Sequence, residues 1–569
     1  LCRYSTDKTT LSAFQTATGQ DASSVNTDPG FANPWGLTAE SYVPSSLLLT
    51  GVNASVTTDY SGVSRTTTPA MGAHDFRIWN GSVWNSVPGA DYNAKIDGTF
   101  SGAGFSCRNL VLNAGKQLSI TSGTMAVGNN FTILSDDANG TGTFTNSGSL
   151  TVGGVTTVQQ YITSSQTGVN GRNWYISSPL TAALSSTITG ATGNGLVYYD
   201  GTTNWPAAGT TMEVMKGYIA KSPAQNTTIS FAGGTLNDGN QSVADLPVGF
   251  NLVGNPYPSY VDFTQATKTN VANSIWYRSK STGAYVFQTY NVPGNIGAND
   301  GSAIIPPMQS FWIKTTGATN NFGFTNAMRS HQDQSIAANR LKAPGTSQQK
   351  LVRLQLSNPS GSDETVVYFN PAAQNSSDEF DTQKMFNSVV AQPEVYSKTG
   401  TDKLVINGLN EVADNLEIPL GYNTATAGNF TFKVPELGNF DSNTKIYLLD
   451  KQENIRTELS SVAEYTFNSD VTTANENRFS LLFKVSNITT ATDNQQNLNT
   501  KVLVNESNQL VIIAPAKSTY SVYNAAGQLF TAGVTTSDRT CTGTVYIKGV
   551  YVVKITENGN ELTTRVIIK

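Results

Sequence analysis

The chain has 569 residues, of which 13% are charged, and its 35 basic and 40 acidic residues leave a net charge of −5. That length exceeds what one hydrophobic core usually serves, so several domains are expected. No basic run is interleaved with aromatic residues, which argues against a nucleic-acid partner. No apolar run approaches the ~20 residues that span a bilayer, so no transmembrane segment of its own is expected.

Short alternations of apolar and polar residues recur along the whole chain, whereas helical periodicity is nearly absent. Residues 351–356 and 117–120 are two such runs, and a two-residue period is typical of strands with one buried face. Cys2, Cys107 and Cys541 lie far apart and are odd in number, so they do not form a disulfide framework. The pattern predicts a multidomain protein of the all-β class.

Residues 1–76 end in two glycine-containing segments, 58–62 and 68–76. They resemble the closing coil of right-handed parallel β-helix domains in large surface proteins of the Bacteroidetes. The resemblance implies that residues 1–76 are the C-terminal end of such a β-helix and the tail of a longer solenoid, because solenoids need about three repeats to be stable. Residues 77–160 continue with short glycine-punctuated strands, which predict a β-solenoid or a strand meander.

Residues 161–330 contain an internal repeat. Three segments occur in order and then occur again with related sequences: 174–179, 197–200 and 215–221, followed by 250–258, 275–277 and 308–314. Because neither copy alone would bury much surface, the repeat predicts two β units packed as one domain. Residues 255–258 resemble a motif common in extracellular Bacteroidetes proteins upstream of sorting domains.

The remainder of the chain alternates polar stretches with strand-rich ones. Residues 331–350 and 486–500 are polar, lack an apolar pattern and are predicted to be linkers. Residues 351–485 have several strands separated by turn residues, which predicts a β-sandwich. Residues 501–569 are predicted to form a small Ig-like sandwich. Its predicted strands are 501–504, 509–513, 519–523, 544–547, 550–556 and 562–568.

Three segments of that last module, 522–528, 548–554 and 564–569, are similar to the type A sorting domain of type IX secretion cargo. The resemblance implies export through the type IX translocon, capture by its outer-membrane shuttle protein, and removal by a sortase that attaches the cargo to surface lipopolysaccharide. The protein would then be extracellular, at the cell surface. The residues that would form the sorting signal are Tyr523, Asn524, Gly527, Gly549, Tyr551, Lys554, Arg565 and Lys569. An ordinary Ig-like module is the alternative.

The last two predicted strands should form a hairpin. Tyr551, Val553 and Ile555 share one face of the first strand by the two-residue period, and Leu562, Val566 and Ile568 share one face of the second. The turn would lie at residues 558–560. Gly549 is expected in the turn before the hairpin, where a side chain would obstruct a partner's backbone.

Catalytic and metal-binding patterns are weak. His74 and His331 are the only histidines, and each is more simply explained as a polar residue beside a turn or linker. Asp378, Glu379 and Asp381 are acidic neighbours on a predicted loop, where no burial is expected to raise a pKa. No catalytic residue, cofactor or metal site is therefore expected, and residues 135–140 are predicted to be a solvated turn.

Two functional hypotheses remain open. The first is a non-enzymatic cell-surface protein, adhesin-like or associated with gliding, exported by its sorting domain. The second is a carbohydrate-active enzyme of the polysaccharide lyase type, whose β-helix groove would lie upstream of these residues. Fold alone does not decide between them.

Overall fold

The computed structural model describes residues 2–4, 6–8, 10–18, 57, 76–84, 87–163, 173–188, 196–202, 204–221, 226–279, 285–332, 349–387, 391–485, 500–557 and 560–568. These residues form 48 strands and a single α-helix of eight residues, so the prediction of a multidomain all-β protein is confirmed. The chain divides into two compact units, Leu1–Ser486 and Asn487–Lys569. Each unit is described by itself.

The first described residues do not form parallel coils. They form β1 Cys2–Tyr4, β2 Thr6–Lys8 and α1 Leu11–Thr18, and the two strands pair antiparallel. Most other residues of the predicted β-helix end, His74 among them, lie outside the described residues. For those residues the β-helix stays a prediction.

Residues 76–162 form stacked coils in which strands one coil apart pair in parallel. The strands are β3 Phe76–Trp79, β4 Asn93–Ile96, β5 Phe100–Ala103, β6 Ser106–Cys107, β7 Leu110–Leu112, β8 Gln117–Ser122, β9 Thr124–Val127, β10 Phe131–Ile133, β11 Ser135–Asp136, β12 Gly140–Thr141, β13 Thr143–Asn146, β14 Ser149–Val152 and β15 Thr156–Ile162. Three parallel ladders result: β3-β4-β7-β10-β15, β5-β8-β13 and β6-β9-β14. A meander would instead pair consecutive strands antiparallel.

The inward side chains of the coils alternate with outward polar ones. Leu118 and Ile120 of β8, Phe131 of β10 and Phe144 of β13 are buried in one core, with the Phe131 and Phe144 ring centroids 5.7 Å apart.

Asp136 accepts hydrogen bonds from the backbone and side-chain amides of Asn139, so the segment predicted as a turn closes the small hairpin β11-β12.

The coils continue into the repeat region through a shared sheet. The strands of that region are β16 Asn173–Ile176, β17 Val197–Tyr198, β18 Tyr218–Lys221, β19 Thr227–Ala232, β20 Gln241–Ala244, β21 Gly249–Gly254, β22 Tyr260–Asp262, β23 Thr267–Thr269, β24 Ser274–Ser279, β25 Val286–Asn291, β26 Ile296–Ala298, β27 Ile304–Ile305, β28 Ser310–Thr315, β29 Asn321–Phe324 and β30 Arg329–Ser330. β19 pairs antiparallel with β15, the last strand of the coils. The coils and the repeat region are therefore joined by backbone hydrogen bonds, although the sequence predicted a domain boundary at residue 160.

The two copies of the repeat have the same strand order and exchange equivalent hydrogen bonds. The order is β16-β18-β17 in the first copy and β21-β28-β24 in the second. The Ser177 amide donates to the Met308 carbonyl at 2.8 Å, and the Gly254 amide donates to the Met215 carbonyl at 2.9 Å. A Cβ at Gly254 would lie 2.1 Å from the Cβ of Ser177, so the close approach of the copies requires glycine there. The two copies are thus one packed unit.

Residues 350–485 form a single long sheet that folds over itself. Its strands are β31 Lys350–Asn358, β32 Gly361–Phe369, β33 Thr382–Gln383, β34 Glu394–Thr399, β35 Asp402–Leu409, β36 Leu416–Thr424, β37 Gly428–Gly438, β38 Thr444–Asp450, β39 Ile455–Glu458, β40 Glu464–Ser469 and β41 Thr472–Val485. The strand order is β39-β38-β41-β36-β34-β35-β32-β31-β37-β40, with β33 beside β35. Phe432 of β37 and Phe479 of β41 lie far apart in that order, yet their ring centroids are 5.0 Å apart. The two ends of the sheet therefore pack face to face, as in a sandwich.

The repeat region and this sandwich share a core. Ile296 and Ala298 of β26 pack with Leu351 of β31 and Val366 of β32. The indole of Trp276 donates to the carbonyl of Gln383 at 2.9 Å. Most of the predicted linker 331–350 lies outside the described residues, but the regions on either side of it are in contact.

The second unit is a small sandwich of two sheets. Its strands are β42 Lys501–Val504, β43 Gln509–Ile513, β44 Thr519–Asn524, β45 Leu529–Val534, β46 Arg539–Val545, β47 Gly549–Glu557 and β48 Asn560–Ile568. The sheet orders are β42-β43-β46 and β45-β44-β47-β48. Its core includes Leu510, Ile512, Val522 and Val553. The sequence pattern missed β45 and placed only the end of β46. Of the second predicted linker, residues 486–499 lie outside the described residues.

Candidate partner-binding face of residues 500–568

The hairpin of β47 and β48 separates an inward face from an outward one. Tyr551, Val553 and Ile555 are buried, and Val566 and Ile568 face the same core from β48, as predicted. Because strand side chains alternate, the residues between them point away from the core. We call this side of the sheet β45-β44-β47-β48 the outward face.

Leu562 pairs with Ile555 on the inward face but is only half-buried. Of the predicted turn, residues 558–559 lie outside the described residues, and Asn560 begins β48.

One row of paired residues crosses the outward face. Leu529 pairs with Tyr523, Tyr523 with Val552, and Val552 with Arg565. Leu529 is 58% exposed, and Ile567 of the neighbouring row is 54% exposed. The structure thus brings two of the sequence-predicted residues, Tyr523 and Arg565, together with apolar side chains that the sequence had not singled out.

Lys554 lies on the same face, one row further along the strands. It is directly opposite Thr563, and its ammonium contacts the carboxylate of Glu561 at 2.7 Å. Both side chains of this ion pair are about half exposed, so water screens the attraction between them. The outward face therefore combines an apolar row with two cationic side chains, Lys554 and Arg565.

Asn524 and Gly527 form the turn that leads from β44 into β45. The Asn524 side-chain oxygen accepts hydrogen bonds from the amides of Ala526 and Gln528, both at 3.0 Å. Gly527 has a φ of 80°, in the left-handed region that side chains rarely adopt. These two residues therefore fix the turn that positions Leu529, and their role in the structure is local.

Gly549 and Tyr551 differ from the other predicted residues in their placement. Gly549 was expected in a turn before the hairpin, but it is the first residue of β47 and pairs with Ile568. Tyr551 is buried, its hydroxyl donates to the carbonyl of Ile547 at 3.2 Å, and its ring centroid lies 5.1 Å from that of Tyr546. Lys569 lies outside the described residues.

The residues that sequence reasoning missed are exposed apolar side chains. They are Leu529, Phe530, Val534, Val545, Ile547 and Ile567. Leu529 and Phe530 are adjacent and both exposed, so β45 does not show the alternation that identifies a strand. Consecutive apolar residues between turn signals, taken without requiring a period, are the signal that could have identified Leu529 and Phe530.

His331 lies against the outer side of the coils. Its Nε2 contacts the Ser119 hydroxyl at 2.8 Å, and its Nδ1 contacts the Thr143 hydroxyl at 2.7 Å. Burial, together with the positive charge of Arg329, lowers the pKa of His331 to about 4. The imidazole is therefore neutral at pH 7 and ties the last strand of the repeat region to the coils.

The acidic loop differs from the expectation in one residue. Asp381 is partly buried, and its carboxylate accepts hydrogen bonds from the amides of Gly408 at 2.8 Å and Asp378 at 3.0 Å. Burial raises the pKa of Asp381 to about 6, whereas the sequence had indicated no burial that would raise a pKa. Both hydrogen bonds are to backbone amides, so this carboxylate anchors the loop.

The described residues contain neither a metal-ligand group nor a membrane-spanning helix. Within those ranges, no three histidine, cysteine, aspartate or glutamate residues come together as a metal-ligand group. In the same part of the chain, no helix is both long enough and apolar enough to cross a membrane.

Comparisons with known proteins place the chain in a family. No curated protein matches it. One solved structure that it resembles is titled "Biofilm associated protein - BSP domain"; the two are 9% identical, the match covers 72% of this chain and 92% of the other, and the TM-score is 0.11. A likeness of that size supports no conclusion about function. A family model described as "Domain of unknown function (DUF8693)" matches residues 82–483, well over half of the chain, and the protein therefore belongs to that family.

Proposed function

We propose that residues 501–569 are a sorting domain for type IX secretion and that the preceding unit is the displayed, non-enzymatic body of a cell-surface protein. The observation that supports this best is the outward face, where Tyr523 and Arg565 of the sorting-like segments join Leu529 and Ile567. Exposed large apolar side chains on one face of a small domain, here Leu529 on β45 and Ile567 on β48, are typical of protein-binding surfaces. The face therefore suits recognition by a partner protein.

The edge strand β48 adds to this argument. It has β47 on one side, and no other strand follows it in the sheet order of the described residues. An edge strand presents backbone amides and carbonyls that a partner strand can bind. In this proposal the outer-membrane shuttle protein of the translocon binds the outward face and this edge after the chain has crossed the outer membrane.

The fate of the body follows from the same proposal. A sortase would cut within residues 486–500 and attach the preceding unit to surface lipopolysaccharide. The surface of that unit would be neutral and rich in hydroxyl and amide groups, because only 13% of the residues of the chain are charged. We assign it an adhesin-like or gliding-associated role. Mass spectrometry of the mature surface form should find no peptide from residues 510–569 covalently joined to surface material.

Export of a reporter tests the proposal. Residues 487–569 have their own core and would be fused to an inert periplasmic protein in a bacterium with a type IX system. The fusion should reach the cell surface, and the double variant Leu529→Glu, Ile567→Glu should remain in the periplasm because charges replace the apolar contacts. Leu503→Glu is the matched control, since Leu503 is also exposed but lies in the other sheet. Equal export of the double variant and the intact fusion would contradict the proposal.

A further inference from the structure

A lysine and an aspartate meet deep inside the sandwich of residues 350–485. Asp363 lies in β32, and Lys384 directly follows β33. The Lys384 ammonium contacts Oδ2 of Asp363, and the two side chains are only 2% and 3% exposed. This pair is therefore an amine and a carboxyl group held in contact and away from water.

The carboxylate is also held by two neutral donors. The backbone amide of Val395 donates to Oδ2 at 2.9 Å, and the side-chain amide of Asn299 donates to Oδ1 at 2.8 Å. Each oxygen of Asp363 thus has a hydrogen-bond donor besides the lysine. Such donors fix the orientation of the carboxyl group and stabilise negative charge that develops on its oxygens during attack at Cγ.

A third titratable group lies beside the pair. Glu394 is the first residue of β34, next to Val395, and it is buried. Burial raises the pKa of Glu394; the positive charge of Lys384 opposes this rise and the negative charge of Asp363 adds to it. Glu394 is therefore held beside the pair, because the amide of the next residue, Val395, donates to Asp363, and its carboxyl group is influenced by the charges of both partners.

A second buried ion pair in the same sandwich differs in one chemical respect. Arg478 holds Asp450 through Nε and Nη2, with the shortest contact at 2.8 Å, and both side chains are buried. A guanidinium stays protonated in proteins and is not a nucleophile, so that pair remains ionic. An amine can lose its proton when burial disfavours charge, and only the lysine pair can remove both buried charges by reaction.

We propose that Lys384 and Asp363 condense into an intramolecular isopeptide bond. A proton passes from the Lys384 ammonium to the Asp363 carboxylate, and the amine lone pair attacks Cγ. The Nζ–Cγ bond forms, one Cγ–O bond breaks, and the oxygen leaves as water with two protons that came from Nζ. Glu394 carries protons between the nitrogen and the departing oxygen. An ammonium and a carboxylate become an amide and water, so atoms and charge balance without an oxidant or reductant.

The bond would close a loop of the sandwich. Positions 363 and 384 are 21 residues apart, and the bond would join β32 directly to the segment after β33. A force that pulls on the two ends of the chain would then be carried by the bonded side chains of Asp363 and Lys384, and residues 364–383 between them would not be extended. At about 3.4 Å per extended residue, the stretched chain would be about 70 Å shorter than the unlinked one. This inference goes beyond surface display and holds whether or not residues 501–569 are a sorting signal.

Mass spectrometry of the intact, folded chain tests the bond. We expect a mass lower by one water than the sequence requires. Trypsin should fail to cut after Lys384 and should release residues 354–398 as one peptide that is also one water lighter. A glutamyl protease that cuts after Glu364 and Glu379 should leave the flanking pieces joined. A folded chain with the full sequence mass and normal cleavage after Lys384 overturns the proposal.

Three variants separate the bond from a simple ion pair. Lys384→Arg keeps a cation beside Asp363 but should have the full sequence mass. Glu394→Gln keeps an acceptor for the amides of Asn387 and should remain folded without the bond. Lys398→Met is the matched control, because Lys398 and its partner Glu476 form a less buried pair and should leave the mass deficit unchanged. A mass deficit that persists in Lys384→Arg overturns the assignment of the lysine, and one that persists in Glu394→Gln overturns the role of Glu394.

Discussion

The two sandwiches of this protein place their polar and apolar groups in opposite ways. Residues 350–485 bury charged side chains, among them Asp363, Lys384, Asp450 and Arg478. Residues 500–568 bury only uncharged side chains among the residues described there, and they expose many large apolar ones. A buried charge is stable only when fixed partners surround it, whereas an exposed apolar row gains free energy only when something covers it. The buried charges of the first sandwich have their partners within the same unit, including Asn299 of the repeat region, whereas the exposed apolar side chains of the second are suited to a partner protein.

The largest expected effect comes from shortening the second sandwich. Removing residues 564–569 deletes the part of β48 that pairs with Gly549 to Val553 and takes Val566 and Ile568 out of the core. Tyr551 and Val553 would be exposed, so we expect residues 487–569 to lose their fold and the reporter to stay in the periplasm. Circular dichroism of the purified module and surface labelling of the reporter measure the two outcomes. A chain without Lys569 alone is the control and should keep β48.

The buried charges of the first sandwich should give the next largest effect. Arg478→Met removes every hydrogen bond from that guanidinium to Asp450 and leaves the carboxylate with Tyr465 as its remaining side-chain donor. Breaking a buried pair by removing one partner costs about 3–5 kcal/mol. Urea unfolding of the full chain should show this loss. Lys445→Met breaks the exposed pair with Glu458 and should leave the urea midpoint unchanged. Equal urea midpoints for Arg478→Met and Lys445→Met would contradict the prediction that the buried ion pair contributes more stability than the exposed one.

The sequence predicted the strands better than the contacts between them. The apolar-polar alternation of β8 and β47 is a local property, so these strands and their buried faces could be predicted from neighbouring residues. Parallel pairing between coils, and the meeting of Asp363 with Lys384, depend on residues that are far apart in sequence. Asp381 looked solvated for the same reason, because the amide of Gly408 that binds it belongs to a different strand. On the candidate face, Tyr523 and Arg565 were identified from resemblance, while Leu529 was missed because β45 lacks alternation.

Two partly buried titratable groups of the first unit should produce opposite dependences on pH. His331 has an ordinary pKa of 6.5 and a folded pKa of about 4, so the unfolded chain binds more protons between these values and stability falls as the pH is lowered through that window. Asp381 has an ordinary pKa of 3.8 and a folded pKa of about 6, so the folded chain binds more protons and stability falls as the pH is raised through that window. In the natural chain the two effects partly cancel.

Single substitutions should separate these effects. His331→Gln removes the loss of stability on acidification, so relative to the natural chain it should gain on the order of 2 kcal/mol between pH 6.5 and pH 4. Asp381→Asn should lose a similar amount over the same range, because the amide cannot take up the extra proton. Urea unfolding at several pH values measures both. Parallel pH profiles for the two variants would show that these groups do not titrate as described.

The smallest effect on stability is expected at Gly549. This residue begins β47, and a Cβ built on it would find no atom closer than 3.9 Å, so Gly549→Val should leave the module folded with an unchanged urea midpoint. The new side chain would point to the same side of the sheet as Tyr551 and Ile568, the inward side, at the end of β47 beside the edge strand β48 to which a partner strand would pair. We therefore expect the reporter carrying Gly549→Val to be exported poorly. Gly543→Val is a useful comparison, since Gly543 has a φ of 69° and lies in the other sheet, where strain should lower stability directly. If Gly549→Val is folded and exported as well as the intact fusion, the partner does not approach this end of β47.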